Sequence, residues 1–203
     1  MKVILLANWG MGLEILKVLH SLPDVVISMV VTKYRKDSKD KWENAVYNSS
    51  IENDYPTINQ EEITFTEIIK EILNSNIDLL ISHAYMKKLP KDVFSKPSYG
   101  SINIHPSLLP KYRGPSPAHW VLQNRDSITG LTSHYIDENL DTGDIIYQVK
   151  IPVGTEDTVD SIIERQKTVI KELVIESFKL IRDPNFIPIS QISSHASYAP
   201  KFL

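Results

Sequence analysis

The sequence predicts an α/β protein, a mostly parallel sheet flanked by helices with an antiparallel extension and a long C-terminal helix. Three observations carry this prediction. First, "KVILLA" at 2–7 and "VVISMVVT" at 25–32 are continuous apolar runs of strand length, and between them Leu13, Ile15, Leu16, Val18 and Leu19 recur at helical spacing. Strand, helix, strand is a βαβ unit, and strands apolar on both faces belong in a parallel sheet covered on both sides. Second, "ITGLTSHYIDE" and "GDIIYQVKIPV" are β-rich runs separated by the turn-forming "NLDT", which predicts an antiparallel pair. Third, Val159, Ile162, Ile163, Val169, Ile170, Leu173, Val174, Phe178 and Ile181 mark one apolar face of a helix from about Thr158 to Ile181.

The remaining elements follow in order. Residues 33–63 are polar and weakly patterned, with one short helix expected around "KWENAVY". Thr64 and Glu67 have capping-box spacing and open a helix in "TFTEIIKEIL". "DLLISHA" at 78–84 reads as the third strand, "LPKDVF" as a short helix, "SINIH" as the fourth strand and "PAHWVLQN" as a helix. The order is Rossmann-like. Residues 1–182 are expected to form one domain, and 183–203 a short C-terminal tail that packs as an extended segment.

At 203 residues, 42% of them hydrophobic and 23% charged, the chain can bury one full-sized core. A net charge of -3 gives no sign of a protein that grips nucleic acid across its whole surface. The most basic segment, "KYRKDSKDK" at 33–41, interleaves Asp with Lys and Arg and reads as a solvated loop rather than a phosphate-binding patch. The absence of cysteine excludes thiol nucleophiles, disulfides and cysteine-based metal sites. "MKVILLANWG" is too short for a membrane span and lacks a signal-peptide cleavage pattern, so a cytoplasmic protein with no membrane partner is expected.

Three segments and a set of histidines carry candidate chemistry. "NWGMG" follows the first strand, but the G-x-G-x-x-G spacing fails because residue 15 is Ile. Its glycines suit close packing in a tight turn, and Trp9 stands where open α/β sheets bind ligands. His105, His119 and His134 lack the spacing of a metal site, and no metal is expected. In "SINIH", Ser101, Asn103 and His105 share one face opposite Ile102 and Ile104. The polar face is either a strand running out of sheet or a mount for catalytic groups. "HYIDENLDTGD" concentrates Asp137, Glu138, Asp141 and Asp144, either as a solubilising turn or as the source of a carboxylate that reaches an imidazole.

Taken together, "NIHPSLLPKYRG" and "LDTGDII" resemble the folate-dependent formyltransferase family over the stretch from the first strand to about Val153. The resemblance implies an N-formyltransferase that uses 10-formyltetrahydrofolate as co-substrate and no metal. It places the catalytic Asn, His and Asp on Asn103, His105 and Asp141, and matches His134 to a histidine beside the folate-binding turn. Folate would lie between "HAYMKKLP" at 83–90, with Met86 and Leu89 for the apolar pterin slot, and "DENLDTG" at 137–143, with Asp137, Glu138, Leu140 and Gly143. Read from residue type alone, Met86 and Leu89 serve equally as core. Trp9, Tyr112 and Arg113 are the candidate acceptor contacts. "HYIDE" with "DTGDI" is closest to sugar-nucleotide N-formyltransferases, so the expected acceptor is a small-molecule amine on a nucleotide-linked amino-deoxysugar, with no nucleic-acid partner and room for a homodimer. The alternatives are another amine (methionyl-tRNA, glycinamide ribonucleotide or a peptide-bound amine) or a non-catalytic folate-binding protein. "NWGMG" lacks the Gly-Ser-Asn phosphate loop of the glycinamide-ribonucleotide enzymes, whereas "ASYAPKFL" looks like the linker of a longer tRNA enzyme.

Overall fold

The computed structural model describes every residue except Lys36, Lys39, Lys41 and Leu203. Three lysines of the basic segment 33–41 therefore lie outside the described residues. Packing divides the chain into two compact units, Met1–Ile102 and Asn103–Leu203.

The first unit contains β1 (Lys2–Ala7), α1 (Trp9–Ser21), β2 (Val26–Thr32), α2 (Ala45–Glu52), β3 (Thr57–Asn59), α3 (Phe65–Asn74), β4 (Leu79–His83) and α4 (Lys91–Phe94). Its strands are ordered β3-β2-β1-β4, and every neighbouring pair is parallel. Val3 to Ala7 of β1 and all of β4 are buried, as continuous apolar runs require. The Gly turn serves packing: a Cβ on Gly12 would lie 3.1 Å from that of Ala7 and 3.2 Å from Val46. Asn8 is buried beside it, donating to Gln60 and the Ala84 carbonyl and accepting from the Lys33 N–H and Thr32. Thr64 and Glu67 form the expected capping box.

Two expectations are corrected here. The helix placed around 41–47 begins at Ala45 and runs to Glu52, and a strand, β3, occupies a stretch where none was expected. β3 is three residues long and owes its form to pairing, with Val30 N–H donating to Pro56 and Gln60 N–H to Thr32.

The second unit takes over within β5 (Ser101–His105) and contains α5 (Pro117–Gln123), β6 (Ile128–Tyr135), β7 (Ile145–Pro152) and α6 (Val159–Arg182). β6 and β7 pair antiparallel, with Leu131 opposite Val149. Gly130 is required there, because a Cβ would stand 2.0 Å from the Val149 carbonyl oxygen. The buried residues of α6 include Ile162, Ile170, Leu173, Val174, Phe178 and Ile181, one face of the helix. Thr158 accepts from the Ser161 N–H at its start. Removing that cap in Thr158→Ala is expected to cost about 1 kcal/mol, read as a lower urea midpoint at unchanged slope.

The tail is mostly irregular, with one 3-10 turn at Ser193–His195, and is pinned. Ile189 and Ile145 exchange backbone hydrogen bonds of 2.8 Å each, Trp120 Nε1 donates to Pro200, and Phe202 stacks on His119. The α/β class, the parallel strands with their helices, the antiparallel pair and the long C-terminal helix are all present. Among the described residues no helix is long and apolar enough to cross a membrane.

Candidate active site

The site is built on the end of β5 and the loop that follows. Ile102 and Ile104 are buried on one side of the strand while Asn103 and His105 face the other. The loop is held by a buried network rather than by regular structure. Thr132 donates to the Ser107 carbonyl (2.6 Å) and accepts from the Leu109 N–H (3.1 Å), Gln148 donates to the Leu109 carbonyl (2.9 Å), and Gln166 donates to the Pro106 carbonyl (3.0 Å). Tyr112 (φ 62°), Gly114 (φ 111°) and Asp141 (φ 54°) adopt positive φ. For a residue as bulky as Tyr that conformation costs on the order of 1–3 kcal/mol, and it persists because the surrounding bonds over-determine it.

Asp141 is the hub. Its Oδ2 accepts from the Gly114 N–H at 2.8 Å and lies 3.5 Å from His105 Nδ1; its Oδ1 lies 3.4 Å from Asn103 Nδ2 and 3.7 Å from His134 Nε2. The tautomers follow from the partners. His134 Nδ1 faces the Tyr135 carbonyl at 2.8 Å and must carry a proton, so in the singly protonated tautomer Nε2 is an acceptor for Asn103 at 3.2 Å. That in turn fixes which end of the Asn103 amide points inward. His105 Nε2 donates to the Tyr112 carbonyl at 2.8 Å, so any second proton on this ring goes to Nδ1, facing Asp141.

The electrostatics fit this order. Burial pushes the His105 pKa down, opposed by Asp141 and the Tyr112 carbonyl, with His134 lowering it further. Burial alone would push Asp141 up, but the His105 and His134 rings beside it and the Gly114 N–H override it and hold the carboxyl at about 2. At neutral pH the carboxylate is thus ionised and the buried His105 ring neutral. A proton taken up by the ring makes a cation that favours the charged carboxylate beside it.

The other anticipated residues fall as follows. In the first unit, Trp9 is exposed at the start of α1 with φ 65°, Met86 is 69% exposed and Leu89 only 6%. In the second, the Tyr112 ring is buried and its hydroxyl donates to Asp126, so what it presents to His105 is its backbone carbonyl. The Arg113 guanidinium is held by Gln191. Asp137 shapes its own turn, accepting from the Asn139 N–H and the Thr142 hydroxyl. Glu138 and Leu140 are exposed. Gly143 is packed so closely that a Cβ would stand 1.9 Å from the Tyr135 carbonyl oxygen. Trp9, Ala84, Tyr112 and Asp141 are all non-glycine residues with positive φ, each in a segment singled out from sequence.

Three groups at the site were not anticipated: the Gly114 N–H, the Tyr112 carbonyl and the side chain of Gln191. The first two lie inside the motif "NIHPSLLPKYRG", but a sequence displays side chains and hides backbone roles. Gln191 sits in an aperiodic tail and gives no signal. Among the described residues, no group of three or more His, Asp or Glu is arranged to hold a metal ion.

Asn103, His105, His134 and Asp141 thus converge beside the end of β5 in an α/β chain. The chain matches the formyl transferase family model over residues 14–178 and belongs to that family. It is 39% identical over 146 residues to a methionyl-tRNA formyltransferase from Thermodesulfovibrio yellowstonii, a match covering 72% of this chain and 47% of that one. The chain spans about half the length of the curated relatives it matches. Among solved structures, phosphoribosylglycinamide formyltransferase from Bacillus halodurans superposes with a TM-score of 0.75 at 22% identity, over 92% of this chain and 100% of that one. An N-formyltransferase from Helicobacter canadensis, in complex with folinic acid and dTDP-3-aminofucose, gives 0.76 at 20% identity over 99% and 71%. At these identities the structural likeness speaks for the fold alone.

Proposed function

We propose that this chain transfers a formyl group from 10-formyltetrahydrofolate to a primary amine, and that the amine is that of a methionyl-tRNA. The observation that carries the chemistry is Asp141 bridging His105, Asn103 and the Gly114 N–H in one buried cluster. Attack of the amine on the formyl carbon forms a C–N bond and places negative charge on the formyl oxygen. Collapse breaks the bond to N10 of the folate, and one proton passes from the amine to that nitrogen.

The cluster has a group for each change. The Asn103 amide rests on long contacts of 3.2 and 3.4 Å, weak enough to be surrendered to an oxyanion, and such contacts tighten when charge develops. A donor of this kind is typically worth about 2.7–4 kcal/mol of barrier. His105 takes up the proton at Nδ1, where Asp141 stabilises the imidazolium. Tyr112 and Gly114 fix the two partners from the backbone.

On the acceptor, "HYIDE" with "DTGDI" resembles the sugar-nucleotide N-formyltransferases, and that resemblance implies an amino-deoxysugar on a nucleotide. The curated relatives carry the name methionyl-tRNA formyltransferase at far higher identity than the sugar-linked structure, which supports moving the reading to methionyl-tRNA and keeping the amino-sugar second. The test is tetrahydrofolate release from 10-formyltetrahydrofolate, followed by absorbance, with mass spectrometry of methionyl-tRNA, amino-sugar nucleotides and glycinamide ribonucleotide. A formyl mass gain on the methionyl group is expected. A gain on a sugar nucleotide instead would make the second reading the right one, and folate binding without transfer to any amine of this panel would leave a peptide-bound amine and the non-catalytic alternative.

A further inference from the structure

Gln191 lies in the stretch after α6, and every polar atom of its side chain is used. Nε2 donates to the carbonyl oxygens of Asp141 (3.0 Å) and Gly143 (2.7 Å), and Oε1 accepts from Nε (3.1 Å) and Nη2 (2.7 Å) of Arg113. We propose that Gln191 is a positioning residue for the Asp141–His105 pair, locking the turn that carries Asp141 to the loop that carries Arg113 and Gly114. The kinetic consequence rests on the formyl-transfer reading; the structural one does not.

The bonds close a ring. Asp141 Oδ2 accepts from the Gly114 N–H, Gly114 follows Arg113 in the chain, the Arg113 guanidinium binds Gln191, and Gln191 returns to the backbone of Asp141 and Gly143. Without Gln191 the direct bond between Asp141 and the Arg113–Gly114 loop is the one made by Asp141's own carboxylate, the group that must also face His105 at 3.5 Å. The turn needs outside support, because Asp141 sits at φ 54°. Gln191 supplies it while leaving the carboxylate free to act on the ring. The tail is anchored on both sides of Gln191 by bonds that do not involve it: Ile189 with Ile145 before it, and Arg113 N–H to Ser197 and Ala199 N–H to Arg113 after it. Substitution therefore removes the clamp and leaves the tail docked.

The experiment compares Gln191→Ala and the bulk-preserving Gln191→Met with the unaltered chain, using Ile192→Ala, an exposed neighbour, as control. The His105 ring is titrated by NMR, and formyl transfer is measured as kcat and as KM for the folate donor. Asp141 raises the His105 pKa, so releasing its turn is expected to move the His105 midpoint to lower pH in both Gln191 variants. kcat is expected to fall by about 100-fold, the scale of a misplacement of roughly 1 Å, with KM for the donor little changed and the control unaffected. A His105 titration in Gln191→Met that overlays the parent would overturn the proposal, and so would collapse of both variants, which would make Gln191 a folding residue. If the parent chain formylates no amine, the functional reading fails while the titration still decides the role of Gln191.

Discussion

Asp141→Asn is expected to lower formyl transfer by about 10²–10⁴-fold, the range lost with a general acid–base partner, while the chain remains folded. The substitution keeps the shape of the side chain. It preserves an acceptor for the Gly114 N–H at 2.8 Å, so the turn has no reason to open. What it removes is the charge 3.5 Å from His105 Nδ1. An imidazole already driven toward neutrality by burial then loses the main influence favouring its protonated form, and proton uptake during the reaction goes uncompensated. The same variant has a signature in stability. The folded Asp141 pKa of about 2 lies below the usual 3.8, so its contribution to stability is present above 3.8 and lost as the pH falls through about 2. That contribution is on the order of 2 kcal/mol, and Asp141→Asn should lack this acid limb in urea titrations between pH 5 and 2. Near-normal turnover in Asp141→Asn would remove the residue from the mechanism.

What the sequence makes legible follows physical periodicity. β1, β4 and α6 were readable because burial on two faces, or along one helical face, writes itself into residue order. β3 was not readable, because three residues made into a strand by their neighbour carry no period of their own. At the site, the alternation of Ile102, Asn103, Ile104 and His105 exposed a polar face on an otherwise buried strand. The family resemblance supplied Asp141, whose spacing from His105 shows nothing of their contact. Gln191 meets Asp141 across 50 positions of chain, and a lone Gln in an irregular tail has the composition of any solvated segment. The strained backbone of Tyr112 and Asp141 is likewise invisible, since neither is the glycine that positive φ would advertise.

Asn103→Asp is expected to be more damaging than removal of the side chain in Asn103→Ala, and its pH dependence should be diagnostic. The introduced carboxyl would stand about where the amide now lies, 3.4 Å from Asp141 Oδ1 and 3.2 Å from His134 Nε2. At neutral pH two carboxylates would share one buried site, and no donor would be left for the formyl oxygen. Like charges at that distance raise one of the two pKa values strongly. As the pH falls the introduced group protonates first, because Asp141 is held low by His105, His134 and Gly114. A protonated carboxyl donates one hydrogen bond where the amide donated two. Turnover in Asn103→Asp should therefore be lowest at alkaline pH and recover in part toward acid, whereas Asn103→Ala, with no titratable group to regain a donor, shows no such recovery. Turnover in Asn103→Asp that tracks Asn103→Ala at every pH would show that a proton held at this position does not set the rate. Recovery confined to the acid side ties the rate to a proton held at this position, which is what an oxyanion donor at the end of β5 requires.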